Sequence, residues 1–259
     1  MVYFIGAGPG DKELITVKGM KLLESADCII YAGSLVNPEL LGYAKSGCEV
    51  HDSAKMTLEE AIEVMLVNEK SGLVTARLHT GDPSLYGAIK EQIDILIEKG
   101  ISYEVVPGVS SFAGAAAALG VEYTLPGVSQ TVILTRMEGR TPVPDREKIS
   151  ELAKIRASMA IFLSSGMLPE LSEKLIEGGY PKETPAAIVY KATWPDEKII
   201  RTSIEGLPEA GTKNNISRTA LILVGNFLGG EYERSLLYHP EFTHGYRIGL
   251  DIPKKSGDE

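Results

Sequence analysis

Up to about residue 115, short apolar runs alternate with longer amphipathic stretches along the chain. The runs Val2 to Ile5, Cys28 to Tyr31, Leu73 to Leu78 and Tyr103 to Val106 have the length and β-branched content of strands. The clearest helix between them begins at Thr57 with Glu60 three residues on, a capping box, and carries Leu58, Ala61, Ile62, Met65 and Leu66 along one face. A second helix is predicted from about Leu85 to Lys99, where Gly100 stops it. Strand and helix in alternation predict a mostly parallel sheet covered by helices.

From Ser111 the stretch FAGAAAALG reads as a helix of small residues able to pack closely on a neighbour, and VEYTLPGVSQ after it reads as a linker. Apolar β-branched runs resume at Thr131 to Leu134, Met159 to Leu163, Ala186 to Tyr190 and Ala220 to Val224, with helical patterns near Arg146 to Ile155 and Pro169 to Glu177. The predicted fold class is therefore α/β, with two α/β domains at 1–119 and 120–235 and a cleft between them. An extension, 236–259, follows, and its end, PKKSGDE, reads as a mobile tail. No internal repeat is visible.

Composition narrows the partners. The 259 residues are 44% apolar, enough for a sizeable core, and 26 basic against 35 acidic residues leave a net charge of −9. That balance argues against a chain that coats nucleic acid or a membrane surface. Cys28 and Cys48 have no partner spacing, so free thiols and a reducing, cytoplasmic compartment are expected. Neither a signal-peptide pattern nor an apolar run of membrane-spanning length occurs.

The opening YFIGAGPGDKELIT looks at first like a dinucleotide fingerprint, with Gly6, Gly8 and Gly10 after a strand. It fails at three points. The third glycine should stand where Asp11 does, Pro9 lacks an amide hydrogen, and no acidic residue ends the second strand. A tight strand-to-helix turn and a site for a ligand without pyrophosphate both remain. Three further loops follow predicted strands, where ligands gather in open α/β sheets: HTGDPSLYG, VPGVSSFAG and LSSG. In the first, Asp82 could accept hydrogen bonds from a ligand hydroxyl or ammonium, or bond its own turn, and Ser84 is a candidate helix cap. In the second, Ser110 and Ser111 open a helix, where capping or ligand binding would each explain them. His51, His79, His239 and His244 lack zinc-site spacing, so no metal site is expected. Neither a nucleophile elbow nor a phosphate loop is present, which leaves group transfer by positioning, with a cofactor supplying the chemistry.

Taken in order, YFIGAGPGDKELIT, ADCIIYAGSLV, HTGDPSLYG, VVPGVSS and TPAAIVYKATWPDEKIIRT resemble the tetrapyrrole methylases over about residues 2 to 248. Within that family QTVILTRMEGRTPVPDREK, YKATWPDEK and THGYR are similar to the branch that methylates precorrin-4, with or without cobalt, at C-11. The resemblance implies S-adenosylmethionine as cofactor, S-adenosylhomocysteine as product, a tetrapyrrole substrate and a homodimer. It places Pro9 beside the cofactor, with Thr80, Gly81, Asp82, Leu85, Ser110 and Ser111 from the first half. Leu163, Ser164, Ala192, Ala220 and Leu221 join them from the second, although FLSSGM departs from the Tyr-Met-Gly of many relatives near Ser164. No side chain is expected to act as a covalent catalyst, because a sulfonium methyl needs only alignment with a ring carbon. The carboxylates of such a substrate call for cations, and Arg136, Arg140, Lys191, Arg201 and Arg247 are the candidates. An NAD-dependent oxidoreductase, another tetrapyrrole methylase and a non-catalytic tetrapyrrole carrier are the alternatives.

Overall fold

The computed structural model describes residues 1–250. Two five-stranded sheets organise it. The first holds β1 (Val2–Gly6), β2 (Cys28–Tyr31), β3 (Glu49–Asp52), β4 (Thr75–His79) and β5 (Tyr103–Val106), all parallel, in the order β3-β2-β4-β1-β5. Helices α1 (Val17–Ser25), α2 (Leu58–Lys70) and α3 (Lys90–Glu98) cover it. Alternate residues of the strands feed two cores. Ile5, Ile29 and Leu78 pack with Leu23 of α1 on one face, whereas Phe4, Cys28 and Ile30 meet Ile62 and Met65 of α2 on the other. The capping box at Thr57 and Glu60 is present as predicted.

The second sheet holds β6 (Val132–Arg136), β7 (Ser158–Phe162), β8 (Pro185–Tyr190), β9 (Lys198–Ser203) and β10 (Ala220–Val224) in the order β6-β7-β10-β8-β9. Only β6 and β7 run parallel; β10 is antiparallel to both β7 and β8, and β9 to β8. One face buries Met159, Ile161, Ile188 and Ile222 beneath α5 (Ile149–Leu152), α6 (Leu168–Glu177) and α7 (Leu207–Lys213). The other buries Ala160, Ala187, Val189 and Leu221. The α/β reading thus holds, with a mixed second sheet.

Several elements differ from their prediction for local reasons. Helix α4 (Ser111–Leu119) was expected to close the first domain, yet its Ala115 and Leu119 belong to the core of the second sheet. The helix predicted from Leu85 starts only at Lys90, because Tyr86 (φ 57°) and Ala88 (φ 49°) are left-handed and a Cβ on Gly87 would meet the Pro83 carbonyl at 2.2 Å. Ser84 caps nothing; its amide and hydroxyl both donate to Asp82. The pattern at 146–155 breaks at the extended Lys148 into α5 and flanking 3-10 turns. Strands β3 and β9 lie at the edges and were missed, since Glu49, Lys198 and Ile199 face solvent and blur the apolar run. The predicted tail PKKSGDE lies outside the described residues.

Candidate functional site

The carboxyl ends of β1, β4 and β5 bring three loops together. Gly6, Gly81 and Gly108 meet at one point, where a Cβ on Gly108 would lie 2.2 Å from the Gly81 carbonyl oxygen and 2.7 Å from Gly6 Cα. Only glycine permits that approach. The contact also occupies most of the loop's donors. The Ala7 amide donates to the His79 carbonyl at 2.7 Å, Gly8 and Gly81 exchange amide bonds at 3.3 and 2.9 Å, and the Asp11 amide donates to Thr193 Oγ1. With Pro9 donating nothing, the loop is no phosphate nest. Its glycines serve loop-to-loop packing.

Asp82 locks the same junction. Its carboxylate accepts from the Gly108 amide at 2.8 Å and from the Ser84 amide and hydroxyl. Burial pushes its pKa up, but those bonds outweigh it and hold the carboxyl below the ordinary value. Asp82 therefore bonds its own turn and a neighbouring loop, as one of its two sequence readings expected.

Opposite this junction the second sheet presents the ends of β6, β7 and β8 and the start of β10, which its antiparallel pairing places at the same edge. Two adjoining cavities fill the gap. The smaller, 180 Å³, is lined from the first half by Pro9, Leu35, Thr80 and Ser111, and from the second by Phe162, Leu163, Ala192, Trp194, Ala220 and Leu221 among others. The larger, 780 Å³, shares Leu35, Leu163, Ser165, Lys191 and Thr219 with it. Arg136, Arg140, Lys191 and Arg218 line that larger space, and no acidic residue does. In a chain of net charge −9 this is a concentrated positive field.

Of the residues anticipated for a cofactor, Pro9, Thr80, Ser111, Leu163, Ala192, Ala220 and Leu221 line the smaller cavity. Gly81, Asp82, Leu85, Ser110 and Ser164 line neither. Ser110 holds the N-cap position of α4 without a capping bond. Ser164 is fully buried and acts as a brace, donating to the Phe162 carbonyl at 2.7 Å and accepting from the Met137 amide at 3.0 Å. Two of the five expected cations also lie elsewhere. Arg201 spends its guanidinium on the Leu119 and Leu228 carbonyls, and Arg247 clasps the carbonyls of Leu237 and His239 within the C-terminal segment. Both are ties between backbone segments.

Two participants, Trp194 and Arg218, escaped the sequence reading, and the anticipated Lys191 stands beside the first of them. Trp194 donates from its indole to the Pro9 carbonyl at 3.0 Å and lies so close to Gly10 that a Cβ there would meet it at 2.1 Å. Lys191 pairs with Asp196 at 2.6 Å and stands 5.2 Å over the Trp194 ring. Arg218 comes from the loop before β10, and a polar turn around it hid its place. The backbone is strained here too: Leu163, Lys191, Thr193 and Thr219 all have φ between 48° and 69°. Left-handed non-glycine residues persist only where the surroundings hold them, and such residues collect at functional sites. Pro9 is seated between Gly114 of α4, Thr193 and Trp194, so first-half loop and second-half turn form one wall.

Among the described residues no helix is long and apolar enough to cross a membrane, and both cysteines are free. A family model described as tetrapyrrole (corrin/porphyrin) methylases matches residues 1–208. The chain is 56% identical to the cobalt-precorrin-4 C(11)-methyltransferase of Methanocaldococcus jannaschii over 95% of both chains. A solved cobalt precorrin-4 methyltransferase of cobalamin biosynthesis superimposes with a TM-score of 0.87 at 50% identity, covering 88% of this chain and 96% of the other. The uroporphyrin-III C-methyltransferase of Thermus thermophilus complexed with S-adenosylhomocysteine gives 0.73 at 26% identity, over 88% and 92%.

Proposed function

The chain belongs to the tetrapyrrole (corrin/porphyrin) methylase family, and we propose that it transfers a methyl group from S-adenosylmethionine to C-11 of cobalt-precorrin-4 in cobalamin biosynthesis. The observation that carries this reading is the cleft itself: a small, mostly apolar cavity that opens into a larger one lined by four cations and no acid. The smaller space alone lies below the usual range for a ligand pocket, about 300–1,000 Å³. Continuity with the larger one admits a cofactor whose one end is buried and whose reactive end faces the substrate. The donor set fits as well. S-adenosylmethionine has no phosphate, and in the glycine loop the Ala7, Gly8 and Asp11 amides are already bonded within the protein while Pro9 has none.

When bound, the cofactor supplies a methyl group already activated by a sulfonium charge. The chain's own residues then need only hold the partners in line, a contribution that reaches effective molarities of about 10⁵ M or more. Pro9, Ala192 and Leu221 shape the cofactor's wall, and the Trp194 bond to Pro9 fixes that wall against the opposite lobe. Arg140, Arg218 and Lys191 face the space for the macrocycle and suit its peripheral carboxylates. Arg136 lines the same space, yet donates to the carbonyls of Met137, Thr141 and Pro142, so its first task is to shape the loop that carries Arg140.

Purified protein incubated with cobalt-precorrin-4 and S-adenosylmethionine should yield S-adenosylhomocysteine and a product one methyl heavier, substituted at C-11 by NMR. Binding of the macrocycle without release of adenosylhomocysteine would identify a carrier instead. Arg140→Ala and Arg218→Ala should each raise KM for the tetrapyrrole about tenfold, the value of one charge-assisted hydrogen bond, with little change for the cofactor. A homodimer in the cytoplasm completes the proposal. Its support is the exposed apolar set Leu236, Tyr238, Tyr246, Ile248 and Leu250 in the C-terminal segment, together with two free thiols. Sedimentation should show the dimer.

A further inference from the structure

A third cavity, 690 Å³, opens at the β3 edge of the first sheet beneath α2 and shares no lining residue with the two cleft cavities. Strands β2 and β3 pair in parallel with Cys28 opposite Glu49 and Ile30 opposite His51. Residues two apart on a strand share a face, so Glu49 and His51 stand on the same side. Cys28 lies on that side too, among Phe4, Ile30, Ile62 and Met65. The Cys28 Sγ, one imidazole nitrogen of His51 and one carboxylate oxygen of Glu49 all lie within 4.8 Å of one another.

The imidazole needs a partner there. His51 Nε2 is buried and makes no hydrogen bond, although Glu49 Oε1 is only 3.0 Å away; the two atoms are close but not aligned for donation. Something other than the carboxylate proton acceptor is wanted at that point. Around it, Asp52, Glu60 and Glu63 line the same cavity against a single lysine, Lys55, so the local field draws cations.

We infer that Cys28, Glu49 and His51 form a binding site for a borderline divalent transition-metal ion such as Zn²⁺. One thiolate, one imidazole and one carboxylate are the donors such ions take, whereas Mg²⁺ and Ca²⁺ prefer oxygen alone. Small rotations of the half-buried His51 and exposed Glu49 bring three donors onto one ion, and the cavity supplies water for the fourth position. Binding releases the Cys28 proton to solvent. The ion would staple the edge strand β3 to β2. Sequence spacing hid the site because a parallel crossover, rather than a local motif, brings Cys28 to Glu49 and His51.

The test is titration of the metal-stripped full chain with Zn²⁺ and with Co²⁺ as a spectroscopic substitute. One ion per chain should bind, Co²⁺ should give thiolate-to-metal charge-transfer absorption, and bound Zn²⁺ should raise Tm. Cys28→Ser should abolish the absorption and His51→Ala should weaken binding by more than about 100-fold, beyond the loss typical of an outer-shell partner. Cys48→Ser should leave both unchanged. Should Cys28→Ser not fold, His51→Ala and Glu49→Gln at the strand edge decide the matter. Absence of the charge-transfer band in the wild type, or Zn²⁺ affinity indifferent to His51→Ala and Glu49→Gln, overturns the site.

Discussion

The two sheets face one cleft and contribute to it by different means. From the parallel sheet come loops in which glycine lets backbone touch backbone, with Asp82 binding the amide of a neighbouring loop. The mixed sheet instead offers non-glycine residues in left-handed conformations, Leu163, Lys191 and Thr219, whose side chains line the cavities. The first half is thus a rigid seat built from main chain, and the second a strained rim built from side chains. The first lobe adds a few lining side chains, Pro9, Leu35, Thr80 and Ser111, but the cations all come from the second. Substitutions should separate the two roles.

The largest effect is expected at the seat. Gly108→Ala forces a Cβ against the Gly81 carbonyl and Gly6 Cα, neither of which belongs to a flexible side chain, and should cost about 3 kcal/mol of stability, the upper end for overpacking. Gly42→Ala, with nothing within 4 Å, should stay within about 0.5 kcal/mol. Urea denaturation of the pair measures the difference, and equal midpoints would remove the rigid seat from the comparison. Next comes Asp82→Ala, which leaves the Gly108 and Ser84 amides without their acceptor and should cost about 1–3 kcal/mol. Its counterpart on the rim, Asp196→Ala, breaks an exposed, solvent-screened pair with Lys191 and should shift the urea midpoint far less than Asp82→Ala.

Acid should also act on the lobes unequally. His79 at the end of β4 is buried, and desolvation together with nearby Arg77 pushes its pKa down to about 3. Between there and the unfolded value of about 6.5, the unfolded chain binds a proton that the folded chain refuses. Stability therefore falls as pH drops through that window, by about 1.4 kcal/mol per pH unit at full slope. The second sheet carries no histidine. His79→Phe, similar in volume and facing Phe4 at 6.0 Å between ring centres, should flatten the acid limb of stability against pH. An unchanged limb would assign it to the carboxylates instead.

How much of this the chain announces in advance follows the same division. Strands β2 and β10 were legible to the residue because they are buried on both faces and read as unbroken apolar runs. The seat was legible through its glycines and prolines, which mark loops whatever they contact. The rim was harder to read. Thr219 and Trp194 sit in polar turns, and Arg218 looks no different in sequence from Arg201, which ties two carbonyls away from the cleft. A cation's place depends on which strand end faces which lobe, and antiparallel pairing settles that only after folding. The stretch 85–89 ahead of α3 was misread as helix because the acceptor that turns the chain, Asp82, acts on Ser84 before helix propensity can.

The smallest expected effect on stability tests the rim directly. Leu163 follows β7 with φ 53°, leaves 67% of its surface exposed and lines both cavities. A left-handed conformation costs an L-residue about 1–2 kcal/mol, which glycine avoids. Glycine in turn loses about 0.5–1 kcal/mol through a freer unfolded chain. The side chain buries too little to tip the balance, so Leu163→Gly should leave stability unchanged or raised by less than about 1 kcal/mol. Its effect should appear in ligand affinity, because the position forms wall to both cavities. A stable variant that binds S-adenosylhomocysteine more weakly by calorimetry would show that the strain is held for the ligand. A loss of stability as large as that of Gly108→Ala would instead make Leu163 part of the seat, and the division between the lobes would not stand.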